Sequence, residues 1–209
     1  QMFNYSKDAE RRWGDAEEYT GGRLSWIGRF NYTFDQKYIA EFSFRYDGNT
    51  LFPDGHRWGF FPSVSAAWRL SEESFMENTT DWLSNLKLRA SYGTTGNDLD
   101  LSKDPIDKIT AFSYLQKYNT GGTYVFGSNL ANTIVAGDTP NPTLTWATST
   151  TYNGGLDFGF FNNRLSGTLD VFYRKEVDIL GPRTVTLPST YGQALAPENY
   201  AERSWRGGE

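Results

Sequence analysis

The sequence predicts an all-β fold: an antiparallel transmembrane β-barrel segment of about six long strands. Three observations carry this reading. Six segments alternate residue by residue, most are long enough to cross a bilayer, and short connections take turns with long ones. The mean hydropathy is -0.60. No stretch approaches the run of about 18 apolar residues that a membrane helix needs. That excludes helical spans but not barrels, whose strands dilute each lipid-facing residue with a polar one facing the lumen.

The first segment sets Leu24, Trp26, Gly28, Phe30, Tyr32 and Phe34 against Arg23, Ser25, Ile27, Arg29, Asn31 and Thr33. In the second, Tyr38, Ala40, Phe42, Phe44 and Tyr46 oppose Ile39, Glu41, Ser43, Arg45 and Asp47. The third places Phe60, Pro62, Val64, Ala66, Trp68 and Leu70 opposite Phe61, Ser63, Ser65, Ala67 and Arg69. The fourth is shorter, with Leu86, Leu88, Ala90 and Tyr92 against Lys87, Arg89, Ser91 and Gly93. The fifth runs from Leu144 through Trp146, Thr148, Thr150, Tyr152, Gly154 and Leu156 to Phe158, with Thr145, Ala147, Ser149, Thr151, Asn153 and Asp157 between them. The sixth sets Leu165, Gly167, Leu169, Val171 and Tyr173 against Ser166, Thr168, Asp170, Phe172 and Arg174. Period 2 with two unlike faces is the mark of a strand between two media.

Length separates a barrel from a sandwich, because globular strands run about 5–6 residues and membrane strands about 9–11. Aromatics gather toward strand ends, as Trp26 with Phe34, Tyr38 with Tyr46, Phe60 with Trp68, Trp146 with Phe158, and Tyr173. Two interfacial girdles would fall there. The connections at Asp35-Gln36 and around Asn162-Asn163 read as tight hairpin turns, since Asn and Asp tolerate left-handed geometry. The others span 48–58, 71–84, 94–143 and 175–207. Counted hairpin by hairpin, the two shortest turns fall on the periplasmic side and the two longest loops outside, as this class of barrel requires. Within 71–84, Ser71 followed by acids reads as the N-cap of one helical turn.

Composition narrows function. With no Cys and a single His (His56), thiolate sites, multi-histidine metal sites and a Ser-His-Asp triad away from His56 are not expected. The net charge of -5 is spread without a basic block, so nucleic acid is not an expected partner. Residues 1–20 hold no apolar core of a signal peptide. The stretch from Asp98 to Asp104 resembles a calcium loop but has Lys103 and Ile109 where Gly and Glu are required. A looser carboxylate site from Asp98, Asp100, Asp104 and Asp107 stays open beside a solvated loop. No catalytic residue, cofactor or metal is expected.

Candidate contact residues lie in the loops. The turn-rich stretch 47–56 reads as an external hairpin loop from which Asp54, His56 and Trp58 could touch substrate or a partner. The 94–143 connection carries Phe112, Tyr114, Tyr118, Tyr124 and Phe126 amid Gly, Asn and Thr. Loops of that length usually serve a function, here stacking on cargo, packing on a partner or pinning the loop into the lumen. Asp157 and Asp170 face each other from adjacent strands like a glycosidase pair, yet amid Gly, Ser and Thr they read as pore-lining charges.

Two blocks of sequence carry a family resemblance. The first runs from Arg57-Trp58-Gly59-Phe60-Phe61-Pro62-Ser63-Val64-Ser65-Ala66-Ala67-Trp68-Arg69-Leu70 through Trp82-Leu83-Ser84-Asn85-Leu86-Lys87-Leu88-Arg89-Ala90-Ser91-Tyr92-Gly93 to Thr95-Gly96-Asn97. The second comprises Asn141-Pro142-Thr143-Leu144-Thr145-Trp146, then Gly155-Leu156-Asp157-Phe158-Gly159, Asn162-Asn163-Arg164-Leu165 and Asp170-Val171-Phe172-Tyr173-Arg174-Lys175. In this order the chain resembles the SusC/RagA-type TonB-dependent outer-membrane transporters, most clearly over residues 20–181.

The resemblance implies a barrel of about 22 strands in the cell outer membrane of Bacteroidota. It further implies import of oligosaccharide or peptide cargo with a SusD-like surface lipoprotein as lid, powered through TonB. On this expectation residues 1–209 are part of the barrel domain, in contact with outer-membrane lipid, without the plug domain, the TonB box or a signal peptide. The alternatives are a soluble β-rich carbohydrate-binding module, suggested by the aromatics, and an all-β glycoside hydrolase, suggested by the acids.

Overall fold

The computed structural model describes residues 21–79, 81–100, 107–109, 112–183, 185 and 188–209. Seven long strands form one antiparallel sheet: β1 (Arg23–Phe34), β2 (Tyr38–Asn49), β3 (Trp58–Arg69), β4 (Leu83–Asn97), β9 (Ala147–Phe160), β10 (Leu165–Gly181) and β11 (Glu198–Gly208). Neighbours in the sheet follow chain order. Between β4 and β9 lie β5 (Leu99–Asp100) paired with β6 (Asp107–Lys108), then the hairpin of β7 (Tyr118–Phe126) and β8 (Asn129–Ala136).

The register keeps the two faces distinct across all the strands that alternate. Phe30 lies opposite Phe42, Phe42 opposite Val64, and Val64 opposite Tyr92, while Asn31 meets Glu41, Glu41 meets Ser65 and Ser65 meets Ser91. A slip of one residue would turn every side chain over, so the unlike faces themselves hold the register. The apolar face is uncovered: Phe30 is 65% exposed and Val171 63%. Aromatic pairs mark its two ends, with Tyr38 stacked on Trp68 at 6.2 Å and Tyr46 on Trp58 at 4.8 Å.

Antiparallel order sends alternate connections to opposite ends. The turn end carries 35–37, 70–82 and 161–164; the loop end carries 50–57, 98–146 and 182–197. Asp35 and Gln36 have positive φ, as do Phe161, Asn162 and Asn163. The expected Asn and Asp positions are therefore left-handed, and hairpin closure imposes the same conformation on Gln36 and Phe161, residues that rarely adopt it.

At the turn end, Glu73 accepts hydrogen bonds from the Tyr38 hydroxyl at 2.6 Å and the Trp68 indole at 2.9 Å. The tyrosine hydroxyl first, then the indole, hold its carboxyl below the usual carboxylate range. Stabilisation from this contact is fully present above the ordinary value of about 4.3 and is lost as pH falls through the depressed one. The indole N–H resonance of Trp68 is expected to report that loss on acidification, and a Glu73→Gln variant to lack the transition.

Several elements differ from the expectation. The connection 175–207 is not one loop: β10 runs on to Gly181 and β11 adds a seventh strand, tied by Arg203–Glu176 and Lys175–Glu202 ion pairs at 2.7 and 2.9 Å. The β10 extension loses its alternation at the bulge between Glu176 and Ile179, and β11 mixes Tyr200, Ala201 and Trp205 with charges, so no clean period marks either stretch. Likewise 94–143 contains the end of β4 and two hairpins. Ser71 caps no helix; 3-10 turns at Leu70–Glu72 and Ser74–Thr79 begin right after β3, with no side-chain cap on the first. The Arg69 N–H is held by the Lys37 carbonyl, so strand pairing persists to the last residue of β3, immediately before the turn. Leu144 and Trp146 precede β9 and are buried rather than exposed on the apolar face, because the chain joins the sheet only at Ala147.

Candidate functional site

The buried apolar cluster sits at the loop end of the sheet. Leu51 and Phe52 from the first loop, Ile109, Leu144 and Trp146 from the second, Phe61 of β3 and Leu180 of β10 pack together. Phe52 is wholly buried, with its ring 4.7 Å from that of Trp146. Trp146 also meets Phe61 edge-on at 5.7 Å and donates its indole N–H to the Arg57 carbonyl.

Asn141 does the polar part of this joining. Its amide donates to the Pro197 carbonyl at 2.9 Å, and its Oδ1 accepts from the Thr143 N–H and hydroxyl. Asn199 extends the joint by exchanging bonds with the Thr145 backbone and donating to the Asp178 carbonyl. A buried amide left unpaired would cost about 1–3 kcal/mol, so these bonds also fix where the loops cross. The segment Asn141-Pro142-Thr143-Leu144-Thr145-Trp146 thus ties three loops into one body.

Asp98, nearly buried, continues the tie by accepting from Arg23 of β1 and from Asn49 of β2, the latter at 2.9 Å. This engagement occupies the first carboxylate of the looser metal set. Asp104 lies outside the described residues. Among the described residues no cluster of three metal-ligating side chains forms.

A cavity of about 400 Å³ opens in the same loop body, lined by Leu115, Lys117, Asn119, Asp138, Thr139 and Pro197 among others. Its mix of apolar wall and hydrogen-bonding groups suits a polar ligand with some apolar surface. The expected contact residues surround this body rather than converge on one point. Asp54 is exposed and pairs with Arg57 at 2.9 Å, and His56 is exposed at the same loop tip. Trp58 belongs to the apolar face, stacked on Tyr46. Tyr114 is half-buried and meets Phe112 edge-on. Tyr118 and Tyr124 are both exposed on β7, but a bulge between Thr120 and Thr123 puts them on opposite faces of the hairpin.

The polar face of the sheet carries a second arrangement. Arg89 donates to both oxygens of Asp157, at 2.8–3.1 Å, and to Asp170 at 3.0 Å, two strands away. The register explains the reach: Arg89 lies opposite Gly155, and Gly155 opposite Asp170. A side chain at Gly155 would sit 2.6 Å from the Asp170 carboxylate and 2.7 Å from the Arg89 guanidinium, so glycine leaves the bridge its room. Lys87 stands 3.6 Å from Asp157, and Thr168 donates to it. With one guanidinium bonded to both acids, neither carboxylate stands free as the nucleophile that sugar hydrolysis needs.

Sequence reasoning placed Asp157 and Asp170 on this face but missed Arg89 as their bridge and Asn141 and Trp146 as loop anchors. Replacing Arg89 by methionine is expected to destabilise the folded barrel by about 1–3 kcal/mol, less than a fully buried pair because these groups are about a quarter exposed. Urea unfolding in detergent measures it, and adding Asp170→Asn should restore part of the loss.

Relatives agree with this geometry. The TonB dependent receptor-like β-barrel family matches residues 4–205. The chain is 33% identical over 201 residues to the TonB-dependent receptor SusC of Bacteroides thetaiotaomicron, covering 92% of this chain and 19% of that protein. It is 35% identical over 181 residues to the TonB-dependent receptor P26 of Formosa agariphila, covering 84% of this chain and 16% of that one. The RagAB peptide importer in its open-open state superposes with a TM-score of 0.73 at 28% identity, over 96% of this chain and 21% of that one. Its closed-closed state gives 0.69 at 30% identity, over 89% and 19%. The chain spans about a fifth of the length of these relatives. With long antiparallel strands, one apolar and one ion-paired face, and a match over nearly its whole length, the chain belongs to the TonB-dependent receptor-like β-barrel family.

Proposed function

We propose that this chain is a stretch of the barrel wall of an outer-membrane, TonB-dependent importer of oligosaccharides or peptides, working with a SusD-like surface lipoprotein. The observation that carries this reading is the two-faced sheet. Its apolar face is exposed across the strands and flanked by aromatic pairs, as contact with outer-membrane lipid requires, while ion pairs line the other face. Residues 1–209 then form part of the barrel domain, and the loop end is extracellular. Cargo or partner contact falls to that end, at Asp54, His56, Tyr114, Tyr118 and Tyr124 and the cavity beside Lys117 and Asp138, with Trp58 at the membrane interface. A soluble carbohydrate-binding module would leave this apolar face in water, which its size makes costly.

With the complete protein expressed in its host, this reading expects fractionation with the outer membrane and co-purification of a surface lipoprotein. It also expects growth on one class of oligosaccharide or peptide to fail when either this gene or TonB is deleted. Recovery as a soluble monomer, or unchanged growth on every such substrate, would contradict it.

A further inference from the structure

The seam between β3 and β4 opens at the loop end. Their pairing stops at Ser63 opposite Gly93, although β3 begins five residues earlier at Trp58 and β4 continues to Asn97. The outer neighbours stay paired throughout, β2 with β3 as far as Trp58 and β4 with β9 as far as Asn97. The gap is therefore local. Pro62 has no N–H for the ladder, and the Thr94 hydroxyl donates to its carbonyl at 3.0 Å instead.

What remains is a cleft of about 420 Å³. Trp58, Phe60, Tyr92, Thr94 and Thr148, residues of the apolar face, line it, and Asp178 stands at its rim. Phe61 and Trp146 close it toward the buried loop cluster. Phe61 fits there because Gly96 has no side chain; a Cβ at that position would lie 2.0 Å from the ring. Asp178 bulges from β10 with positive φ and is exposed.

Resting on the membrane reading above, we propose that this cleft binds a lipid of the surrounding leaflet whose headgroup carries an ammonium. An acyl chain lies against Trp58, Phe60 and Tyr92. The Thr148 hydroxyl meets the polar linkage, and the Asp178 carboxylate pairs with the ammonium. An apolar wall opening toward the bilayer with hydrogen-bonding groups at one end matches an amphiphile, and one carboxylate at the rim selects against anionic headgroups.

The test uses the full-length protein in nanodiscs containing phosphatidylethanolamine with a photoactivatable acyl chain, with the cross-linked peptides read by mass spectrometry. Labelling is expected to concentrate at residues 58–62, 92–94 and 145–148. The ethanolamine probe should exceed the same chain on phosphatidylglycerol by about fivefold, the effect of one charge near a membrane surface. Thr148→Phe should remove the concentrated labelling, Asp178→Asn should remove the headgroup preference, and Ala90→Phe, elsewhere on the apolar face, should change neither. Even labelling along the apolar face would overturn the lipid site while leaving the membrane reading intact. Absence of labelling from that face altogether would overturn both. Protection of the cleft by a soluble oligosaccharide instead of lipid, or equal labelling by the two headgroups, would also overturn the proposal. The wild-type labelling pattern decides the question even where a variant fails to fold.

Discussion

Replacing Trp146 by alanine is expected to loosen the loop end by about 3–5 kcal/mol, the range for removing a buried aromatic. Its ring is in contact with Phe52 and Phe61, and its indole N–H is bonded to the Arg57 carbonyl. Removal takes out the ring through which the first two loops and β3 meet in the cluster. Because that cluster lies at the loop end of the sheet, the loss is local. Amide exchange should quicken at Phe52, Leu144 and Leu180, and protease should cut within 50–57, while β1 and β2 keep their protection. Trp146→Phe should retain most of the packing and lose the hydrogen bond, worth about 1 kcal/mol. Unchanged exchange at Phe52 in the alanine variant would mean that Trp146 does not hold the loops together.

The second large effect lies on the apolar face. Val64 stands between Phe42 and Tyr92 in the middle of β3 and is half exposed. Arginine there is expected to cost about 2–4 kcal/mol in a folded barrel, the value for a cation near the bilayer midplane. Arginine at Ser65, one residue along, enters the polar face opposite Glu41 and Ser91. It should cost almost nothing. Unfolding in lipid vesicles measures the pair, and equal costs would remove the distinction between the faces.

The legible part of the fold is the part whose two faces differ. Along β2, Phe42 sits between Glu41 and Ser43, and the strand, its sidedness and its turn at Asp35 follow directly. By contrast, β11 offers Arg203, Ser204, Trp205 and Arg206 in succession, with no period, and is held by its pairing and ion pairs with β10. Trp146 shows the limit of extrapolating an alternation: counting back from Thr148 sends it to the apolar face, but the chain has left the sheet by then. The Arg89 bridge depends on Gly155 standing between it and Asp170, a fact of register across three strands that no single strand reveals. The cluster around Asn141 depends on loops far apart in the chain meeting, so its motif was visible but its task was not.

On the proposed membrane reading, from Ser63 onward the even-numbered residues of β3 face lipid and the odd-numbered ones face the lumen. This chain has no cysteine, so single cysteines can be placed along β3 in the complete protein, cleared of any cysteine elsewhere, in intact outer membrane. Ser63, Ser65 and Ala67, once replaced by cysteine, are expected to react with a water-soluble maleimide, whereas Val64, Ala66 and Trp68, so replaced, are not. Uniform reactivity along the strand, or the opposite phase, would contradict that reading.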